Sequence, residues 1–581
     1  MKKYFIPLLY VLLLASCNKD DIVIADSNLA PIIELDNENG IYSVKTGREL
    51  IISPSYKNAD NALFAWTIDG KLVSTGPTLN YSWDKSGEIY VTLRVDNANG
   101  YAEEELKIEV LDLLPPAINL YIPAKGLKVQ KGTEYVLAPD IKNSELADFR
   151  IEWLRDGAIV STETSYKFKE TQLGSYPITI KASNEDGETI KDIVIDVVEN
   201  MPYEVSFQKP YYTAKSNTRY TFASRPVFLR PLLDYFDNPT FEWSVDGKVI
   251  NGANERWYKF TPDNAGEYLV KLTVTEEQNG ISVESTVKVV CVPGAESSSL
   301  RSVTSSSSAY SSKVFEYLPA PGQFINETNT AGFSGNEITH EAAIRYATER
   351  IENNKYVSLG SFGGYIIVGF DHSIPNKGGY DFAIQGNAFD SSNEPGIVWV
   401  MQDTNENGLP DDEWYELKGS ETGKETTIQN YEVTYFRPAS FRSDVHWIDN
   451  LGNSGSVDFN AYHQQDYYYP LWMDKDSYTL TGTRLLARNT QSSSTGYWSN
   501  NPFEWGYADN LGSDVLGGDS YDGSGQMNGF KISNAIYHDG TPANLKYIDF
   551  IKVQVGVLAK SGVLGENSTE VFSFQDLNIN K

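Results

Sequence analysis

Histidine is scarce in this sequence of 581 residues, which contains only five, and none is paired with another at the spacing of metal ligands. There is no His-Glu-x-x-His segment, which would place two imidazoles on one helical face to bind catalytic zinc. The sequence also lacks the Gly-x-Ser-x-Gly turn that presents a nucleophilic serine, and no pair among its many acidic residues stands out as a glycosidase pair. These absences argue against an enzyme, and nothing indicates a redox cofactor.

Long basic runs are missing as well, since the chain carries 48 basic and 78 acidic residues, a formal net charge of -30. A nucleic-acid partner is therefore excluded, because phosphate binding requires clustered positive charge. Beyond the N-terminus no apolar run approaches the roughly 20 residues that a membrane-spanning helix needs. This composition favours a protein that is exposed to the medium.

The N-terminus has the layout of an export signal. Lys2 and Lys3 precede an apolar segment, residues 4–15, that is too short to span a membrane, and residues 14–17 read Leu-Ala-Ser-Cys. This end resembles the lipobox of bacterial lipoproteins, in which the cysteine is acylated and becomes the mature N-terminus. The resemblance implies a signal peptide over residues 1–17, lipidation of Cys17 and attachment to the membrane through lipid. An uncleaved anchor over residues 4–15 is the alternative.

The segment after the lipobox, Asn18-Lys19-Asp20-Asp21, resembles the surface-export signal of Bacteroidetes lipoproteins. The resemblance implies a location on the outer face of the outer membrane. Because Cys17 would be acylated, only Cys291 remains and no intramolecular disulfide is expected. The valines on both sides of Cys291 predict a buried thiol in a strand.

A tryptophan followed three residues later by Asp-Gly occurs three times, at Trp66, Trp153 and Trp243. The copies are about 90 residues apart, the size of an immunoglobulin-like domain. Asp-Gly predicts a hairpin turn, and the alternating apolar residues that follow each copy predict half-buried strands. We therefore expect three immunoglobulin-like sandwiches, over residues 30–112, 115–199 and 202–294, with the tryptophans in their cores rather than in ligand sites. The arrangement resembles domains of the polycystic-kidney-disease (PKD) type.

Residues 295–313 are rich in serine and predict a flexible linker between this three-domain stalk and a last domain over residues 314–581. In the last domain, residues 339–353 have helical spacing, and Thr339 is the expected N-cap. Stretches such as residues 364–370, 396–401 and 547–553 predict strands. The predicted fold is thus all-β, with three immunoglobulin-like sandwiches followed by a larger β-sandwich or jelly roll that contains one short helix.

Residues 403–413, Asp-Thr-Asn-Glu-Asn-Gly-Leu-Pro-Asp-Asp-Glu, have the oxygen spacing of a calcium loop, with a glycine at position six for the sharp turn. Position twelve is Trp414, so a further carboxylate must come from Asp412, Glu413 or elsewhere. A structural calcium ion is the prediction, and an Asx-rich turn without metal is the alternative. The predicted ligands are Asp403, Asn405, Asn407, Leu409 through its carbonyl, and Asp411.

Aromatic rings mixed with amides form the other functional signal of the last domain. In segments rich in Gly and Pro, Tyr and Trp offer flat apolar faces and Asn and Gln offer hydrogen bonds, which suits a sugar or a large amide-bearing macrocycle. The alternative is that the rings fill the interior of the domain. The candidate ligand-binding residues are Trp447, Tyr469, Trp472, Tyr497, Trp498, Asn500, Asn501, Phe503, Trp505 and Gln526.

Several segments resemble the C-terminal module of Bacteroidetes surface lipoproteins. These are residues 358–364, 369–372, 403–413, 548–553 and 565–570. Some members of that family resemble cobalamin-binding surface lipoproteins, which work beside an outer-membrane transporter. The resemblance implies a non-catalytic protein that captures a corrinoid for vitamin uptake and passes it to a TonB-dependent transporter. A glycan-binding lipoprotein of a polysaccharide uptake system and an adhesin are the alternatives.

Overall fold

The computed structural model describes residues 29–579 except residues 38, 121, 124, 439, 461, 493–494 and 518–525. The predicted signal peptide and Cys17 therefore lie outside the described residues. The chain divides into two compact units. One contains the residues up to Pro116 with Asn143–Phe149 and Ser183–Thr189, and the other contains the rest of the chain.

The first domain is an immunoglobulin-like sandwich whose largest sheet has five strands. Trp66 is fully buried at its centre, and the indole N–H donates to the carbonyl of Gly76 at 3.0 Å. The strands are Ile32–Glu34, Ile41–Lys45, Leu50–Ile52, Ser55–Lys57, Leu63–Ile68, Lys71–Ser74, Leu79–Tyr81, Gly87–Asn97 and Gly100–Leu111.

The second and third domains repeat this design, each with a five-stranded sheet around a fully buried tryptophan, Trp153 or Trp243. The second contains the strands Ala117–Asn119, Leu127–Gln130, Tyr135–Leu137, Asp140–Lys142, Arg150–Arg155, Ala158–Ser161, Tyr166–Phe168, Gly174–Asn184 and Gly187–Val198. The third contains Glu204–Phe207, Arg219–Thr221, Val227–Leu229, Pro231–Asp234, Pro239–Val245, Lys248–Val249, Tyr258–Phe260, Gly266–Glu276 and Ile281–Cys291.

The three predicted hairpin turns are confirmed. In each, the Asp and the Gly both have positive φ, for example 50° at Asp156 and 77° at Gly157. This is the geometry that matches the twist of two paired strands. Cys291 is 1% exposed at the end of its strand, as its valine neighbours predict.

The C-terminal domain is built around an antiparallel sheet of six strands. In spatial order these are Lys313–Leu318, Tyr365–Pro375, Tyr547–Val555, Gly396–Met401, Trp414–Leu417 and Ala535–Ile536. Alternate residues of its strands belong to two different cores: Ile366 and Val368 lie in one, and Tyr365 and Ile367 in the other. The sheet is therefore covered on both faces.

One face of this central sheet packs against the predicted helix and a four-stranded sheet. The helix spans His340–Glu352, and Thr339 caps it by accepting from the amide of Ala342 at 3.2 Å. The four-stranded sheet contains Val515–Gly517, Met527–Phe530, Phe382–Gln385 and Ser573–Asp576. Buried residues of both elements, such as Ala347 and Phe382, share one core with the sheet.

The other face packs against a second four-stranded sheet, which contains Ser454–Val457, Val445–Asp449, Ile428–Phe436 and Ser477–Arg484. Two short strand pairs complete the domain, Val357–Ser358 with Glu570–Val571 and Asn489–Gln491 with Trp498–Asn500. Three short 3-10 helices lie at Glu296–Ser299, Ile532–Asn534 and Gly562–Leu564. The predicted fold class is thus confirmed, and the larger sandwich consists of three β-layers.

The serine-rich segment differs from the flexible linker that its composition predicts. It lies against the C-terminal domain, where Ser299 and Ser307 are buried. The guanidinium of Arg301 is 2.8 Å from the Asp549 carboxylate and donates to the carbonyl of Phe370 at 3.0 Å. The small serine side chains allow the backbone of this segment to lie close to the domain, and the contacts of Arg301 hold the segment in place.

Candidate functional site

The ten candidate ligand-binding residues do not converge on one surface. Five of them are buried: Tyr469, Trp472, Asn500, Phe503 and Gln526. Of the other five, Tyr497 and Asn501 are exposed, while Trp447, Trp498 and Trp505 are half-buried. The prediction of a shared aromatic surface is therefore wrong for most of the set.

The five buried candidates pack in the interior of the domain. Trp472 stacks on Phe333, with 5.9 Å between ring centroids, and the Tyr469 hydroxyl donates to the carbonyl of Lys475 at 2.8 Å. The Asn500 side chain accepts from the Ser561 hydroxyl at 2.6 Å. These rings and amides are core residues because strands distant in the sequence cover them, which local composition does not reveal.

A cleft of about 640 Å³ adjoins Trp447, and we call it the Trp447 pocket. Trp447 lies directly opposite Gly455 on the paired strand. A Cβ atom at Gly455 would be only 2.5 Å from the indole ring, so the missing side chain allows the ring to lie across the strand. The pocket is lined by Ser361, Trp447, Ser454, Gly455, Ser456, Val457, Asp458, Phe459, Asn460, Tyr462, Leu558, Ala559, Lys560, Gly562, Gly565 and Glu566.

The walls of the Trp447 pocket combine apolar and polar groups. Phe459 and Leu558 are half-buried, whereas the Tyr462 side chain is 79% exposed. Asp458 and Lys560 form an ion pair at the rim. An aromatic face beside hydrogen-bonding groups is the composition typical of small-molecule sites.

Glu566 is the most perturbed polar group of this pocket. It is 5% exposed, and its Oε1 atom accepts from the amide of Gln323 at 2.7 Å. Its Oε2 atom is buried without a hydrogen-bond partner among the described residues. Burial raises the pKa of this carboxyl to about 8, so the neutral acid, a hydrogen-bond donor, predominates at pH 7.

Sequence reasoning found Trp447 but missed Gly455, Phe459, Leu558 and Glu566. The glycine and the phenylalanine follow Trp447 closely, but the other two lie about a hundred residues further along the chain. Only the folded domain brings them together. The serines and glycine of the segment Ser454–Val457 were the available signal, since such small residues opposite an aromatic ring leave room for a ligand.

The predicted calcium loop forms a tight turn between the strands Gly396–Met401 and Trp414–Leu417. The carboxylate of Asp403 accepts from the amides of Asn407 and Gly408, at 3.0 and 2.9 Å. The side-chain amides of Asn405 and Asn407 both donate to Asp411. The structure thus brings these four predicted side chains into one loop, whereas the Leu409 side chain points to solvent and is 41% exposed.

Asp412 completes this oxygen-rich loop. It is 2% exposed; its Oδ2 atom accepts from the amide of Thr404 at 2.6 Å, and its Oδ1 atom is buried without a hydrogen-bond partner in the described part of the chain. Burial, and then the charges of Asp411 and Asp403, raise its pKa well above the ordinary value. A cation bound in the loop would offset the free-energy cost of burying the charged form of Asp412.

Among the described residues, no helix is long and apolar enough to cross a membrane.

Comparisons with known proteins match the repeated domains. A family model described as PKD-like domain matches residues 30–97 and 115–184. Internalin I of Listeria monocytogenes serotype 4b (strain F2365) is 25% identical over 283 residues, which is 46% of this chain and 15% of that protein. The chain therefore spans less than a fifth of this relative.

Solved structures with immunoglobulin-like domains are also similar. The I-band fragment I67–I69 from titin matches at 12% identity and a TM-score of 0.21, over 46% of this chain and 99% of that one. Sidekick-1 immunoglobulin domains 1–5 match at 12% identity and a TM-score of 0.18, over 45% and 59%. The strand order itself makes the chain a nearly all-β protein with immunoglobulin-like sandwiches, and residues 30–97 and 115–184 match the PKD-like domain.

Proposed function

We propose that this protein binds a ligand at the bacterial cell surface without transforming it. The export signal and Cys17 would attach it to the outer membrane through lipid, and the immunoglobulin-like domains would carry the C-terminal domain. The observation that carries the proposal is the Trp447 pocket, which is lined both by an indole ring and by the buried Glu566 carboxyl group, one of whose oxygens has no hydrogen-bond partner among the described residues.

The ligand that we propose first is a corrinoid, which the protein would pass to a TonB-dependent outer-membrane transporter. A corrin ring is a flat apolar surface with amide side chains along its edge. Trp447 and Tyr462 would lie against the flat surface, and the neutral Glu566 would donate to an amide carbonyl. The pocket would hold part of the macrocycle and leave the remainder open to the transporter.

Calorimetry tests this assignment. Titration of the full chain with cyanocobalamin is expected to release or absorb heat at micromolar protein concentration and to saturate near one ligand per chain. A folded sample that produces no binding heat would rule out the corrinoid.

A glycan is the second candidate ligand, because the rim of the same pocket contains the charged pair Asp458 and Lys560 beside aromatic rings. A glycan array probed with and without a chelator separates the two candidates. Binding of sugars but not of cyanocobalamin would assign the protein to polysaccharide uptake. Binding of neither would favour an adhesin.

We also propose that the loop of residues 403–413 holds a structural calcium ion. The oxygens of Asp403, Asn405, Asn407 and Asp411 and the carbonyl of Leu409 would bind it, and Asp412 would supply the carboxylate that position twelve lacks. Replacement Asp411→Asn should reduce the calcium retained by the purified protein by one ion per chain, measured by mass spectrometry of the metal. Asp539→Asn, a change outside the loop, is the control. Equal calcium content in the two variants would contradict the proposal.

A further inference from the structure

A cleft apart from the Trp447 pocket lies between the third immunoglobulin-like domain and the C-terminal domain, which belong to the same compact unit. Its outer groove has a volume of about 1150 Å³, and its inner recess has a volume of about 90 Å³. The recess has room for several water molecules or for one small chemical group. Lys552 and Gln554 line both parts, so the groove and the recess are continuous. Clefts between domains are common locations of small-molecule sites.

Three neighbouring side chains of the central sheet line the inner recess. Lys552 lies opposite Trp399 on the next strand, and Trp399 lies opposite Glu416 on the strand after that. Opposite residues of antiparallel strands are on the same face of the sheet, so these three side chains form a row. The third domain contacts the sheet beside this row, where the indole N–H of Trp414 donates to the carbonyl of Pro210 at 3.0 Å. The row is therefore enclosed between two domains.

The ammonium group of Lys552 has no acidic partner in this recess. Within the described part of the chain it forms neither a hydrogen bond nor an ion pair within 4.0 Å. Its Nζ atom lies 4.6 Å from the ring centre of Trp399 and 4.9 Å from that of Trp414. Burial, and then the charge of Arg230, lower the pKa of Lys552 to about 7. An anion beside Lys552 would favour its charged form and accept its hydrogen bonds.

Two arginines of the third domain line the same recess. Arg219 donates to the carbonyl of Asn217 at 2.7 Å, and Arg230 donates to the side chain of Asn430 at 3.5 Å. Neither guanidinium group forms an ion pair within 4.0 Å with a carboxylate of the described residues. Burial lowers the pKa of Arg219, and the charge of Arg230 acts in the same direction. The recess thus collects three cationic groups, an arrangement that a bound anion stabilises.

Two carboxyl groups also line the recess, but neither forms an ion pair with these cations among the described contacts. Burial raises the pKa of Glu416 to about 7, although the Thr483 hydroxyl donates to it at 2.6 Å. A large fraction of Glu416 is therefore the neutral acid at pH 7, which donates a hydrogen bond to an anion. Burial also raises the pKa of Glu413, against the opposite effect of the charges of Arg219 and Arg230.

The outer groove is basic, although the chain as a whole is strongly acidic. Lys125 is paired with Glu204 and Asp234, which leaves Glu432 as the one other acidic residue among the described residues that line the groove. Its other basic residues are Lys209, Lys215, Arg256, Lys475 and Lys552. Since the net charge of the chain is -30, this local excess of positive charge would direct an anion to the cleft.

We propose that this cleft is a second ligand site, which binds the phosphate group of a small aromatic phosphate ester in its inner recess. A phosphate group carries up to about two negative charges and three strong acceptor oxygens, so it accepts from Arg219, Arg230 and Lys552 together. A planar carboxylate matches a single guanidinium group instead. The aromatic part of the ligand would lie against the rings of Tyr211 and Tyr212, which line the outer groove.

Calorimetry of the full chain with phenyl phosphate, inorganic phosphate and benzoate tests the ligand class. Phenyl phosphate is expected to bind with a Kd below about 1 mM, and at least about tenfold more tightly than benzoate, because a phosphate accepts more charge-assisted hydrogen bonds. Inorganic phosphate should bind more weakly than phenyl phosphate, because it lacks the ring. No binding of phenyl phosphate, or binding no tighter than that of benzoate or of inorganic phosphate, would overturn the proposal.

Variants locate the binding. Lys552→Met removes the charge and keeps an unbranched side chain, and it should raise the Kd for phenyl phosphate at least about tenfold. Arg230→Gln is a second variant with the same expected direction, and thermal unfolding shows whether each variant is folded. The matched control is Lys546→Met, an exposed lysine just before the same strand, which should bind as the wild type does.

The Trp447→Ala variant should also bind phenyl phosphate as the wild type does, because Trp447 lies outside this cleft. The second site is thereby tested independently of the proposed corrinoid pocket. The proposal is wrong if folded Lys552→Met or folded Arg230→Gln binds phenyl phosphate as tightly as Lys546→Met.

Discussion

Glu566 shows how burial in the Trp447 pocket sets the charge of a single side chain. Its pKa is about 8 in the folded protein and near 4.5 in the unfolded chain. Between these values the folded state retains a proton that the unfolded state has lost, so the stability falls as the pH rises from about 5 to 8. Each pH unit in this window costs about 1.4 kcal/mol.

The substitution Glu566→Gln keeps the shape of the group and removes its titration. We expect the variant to match the wild type at pH 5 and to unfold at a higher temperature than the wild type at pH 8. Thermal unfolding recorded across this range, with the exposed Glu267→Gln as control, measures the difference. If the difference in unfolding temperature between Glu566→Gln and the wild type does not change with pH, this carboxyl is charged in the folded state.

At the scale of single elements, the three Asp-Gly turns give a prediction about backbone conformation. Gly157 has a φ of 77°, and a Cβ atom there would have no neighbour within 4 Å. Gly157→Ala should therefore destabilise the second domain by about 1 kcal/mol through backbone strain alone. Gly157→Asn should cost less, because asparagine tolerates this conformation. Calorimetric unfolding of the full chain compares the two variants, and equal losses of stability would show that the positive φ of this position does not set the cost of the substitution.

The elements were predictable from the sequence wherever the signal is local. Helical spacing and the cap at Thr339 predicted the helix His340–Glu352, and alternation around Trp66, Trp153 and Trp243 predicted the sandwiches. The location of the rings was not predictable. Tyr469 and Trp472 lie in the same kind of local sequence as Trp447. Whether such a ring is buried depends on which distant strands pack over it in the folded domain.

The same limit applies to the carboxylates of Glu394, Asp509 and Glu570, one oxygen of each lying within 4.8 Å of the others in the folded domain. No short motif contains them, since Glu394 precedes the strand Gly396–Met401, Asp509 lies in the loop before Val515–Gly517 and Glu570 begins the strand Glu570–Val571. In contrast, the proposed calcium ligands of the loop lie within the eleven positions of residues 403–413, so their spacing is visible in the sequence. Groups that come from distant parts of the sequence are therefore recognised only in the folded structure, whereas a candidate site within one loop can be predicted from the sequence.

At the scale of the whole molecule, the packed serine-rich segment predicts resistance to proteolysis. Trypsin should cleave slowly after Arg301 in the native protein, because this residue is bound to Asp549 and the segment lies on the domain surface. Arg301→Gln removes the ion pair, and elastase should then cut within residues 296–313 faster than in the wild type. If elastase cleaves the two proteins at the same rate, the ion pair does not hold the segment and the segment is a flexible linker.

The central claim is that the C-terminal domain binds its ligand in the Trp447 pocket. The most direct test is calorimetry of cyanocobalamin with two aromatic variants of the full chain. Trp447→Ala removes the ring that lies over Gly455, and Tyr497→Ala removes a ring that is 77% exposed and outside the pocket. We expect Trp447→Ala to raise the Kd by at least about tenfold, as for a central aromatic contact, and Tyr497→Ala to leave it unchanged. Equal affinity of the two variants, with both folded, would contradict the account.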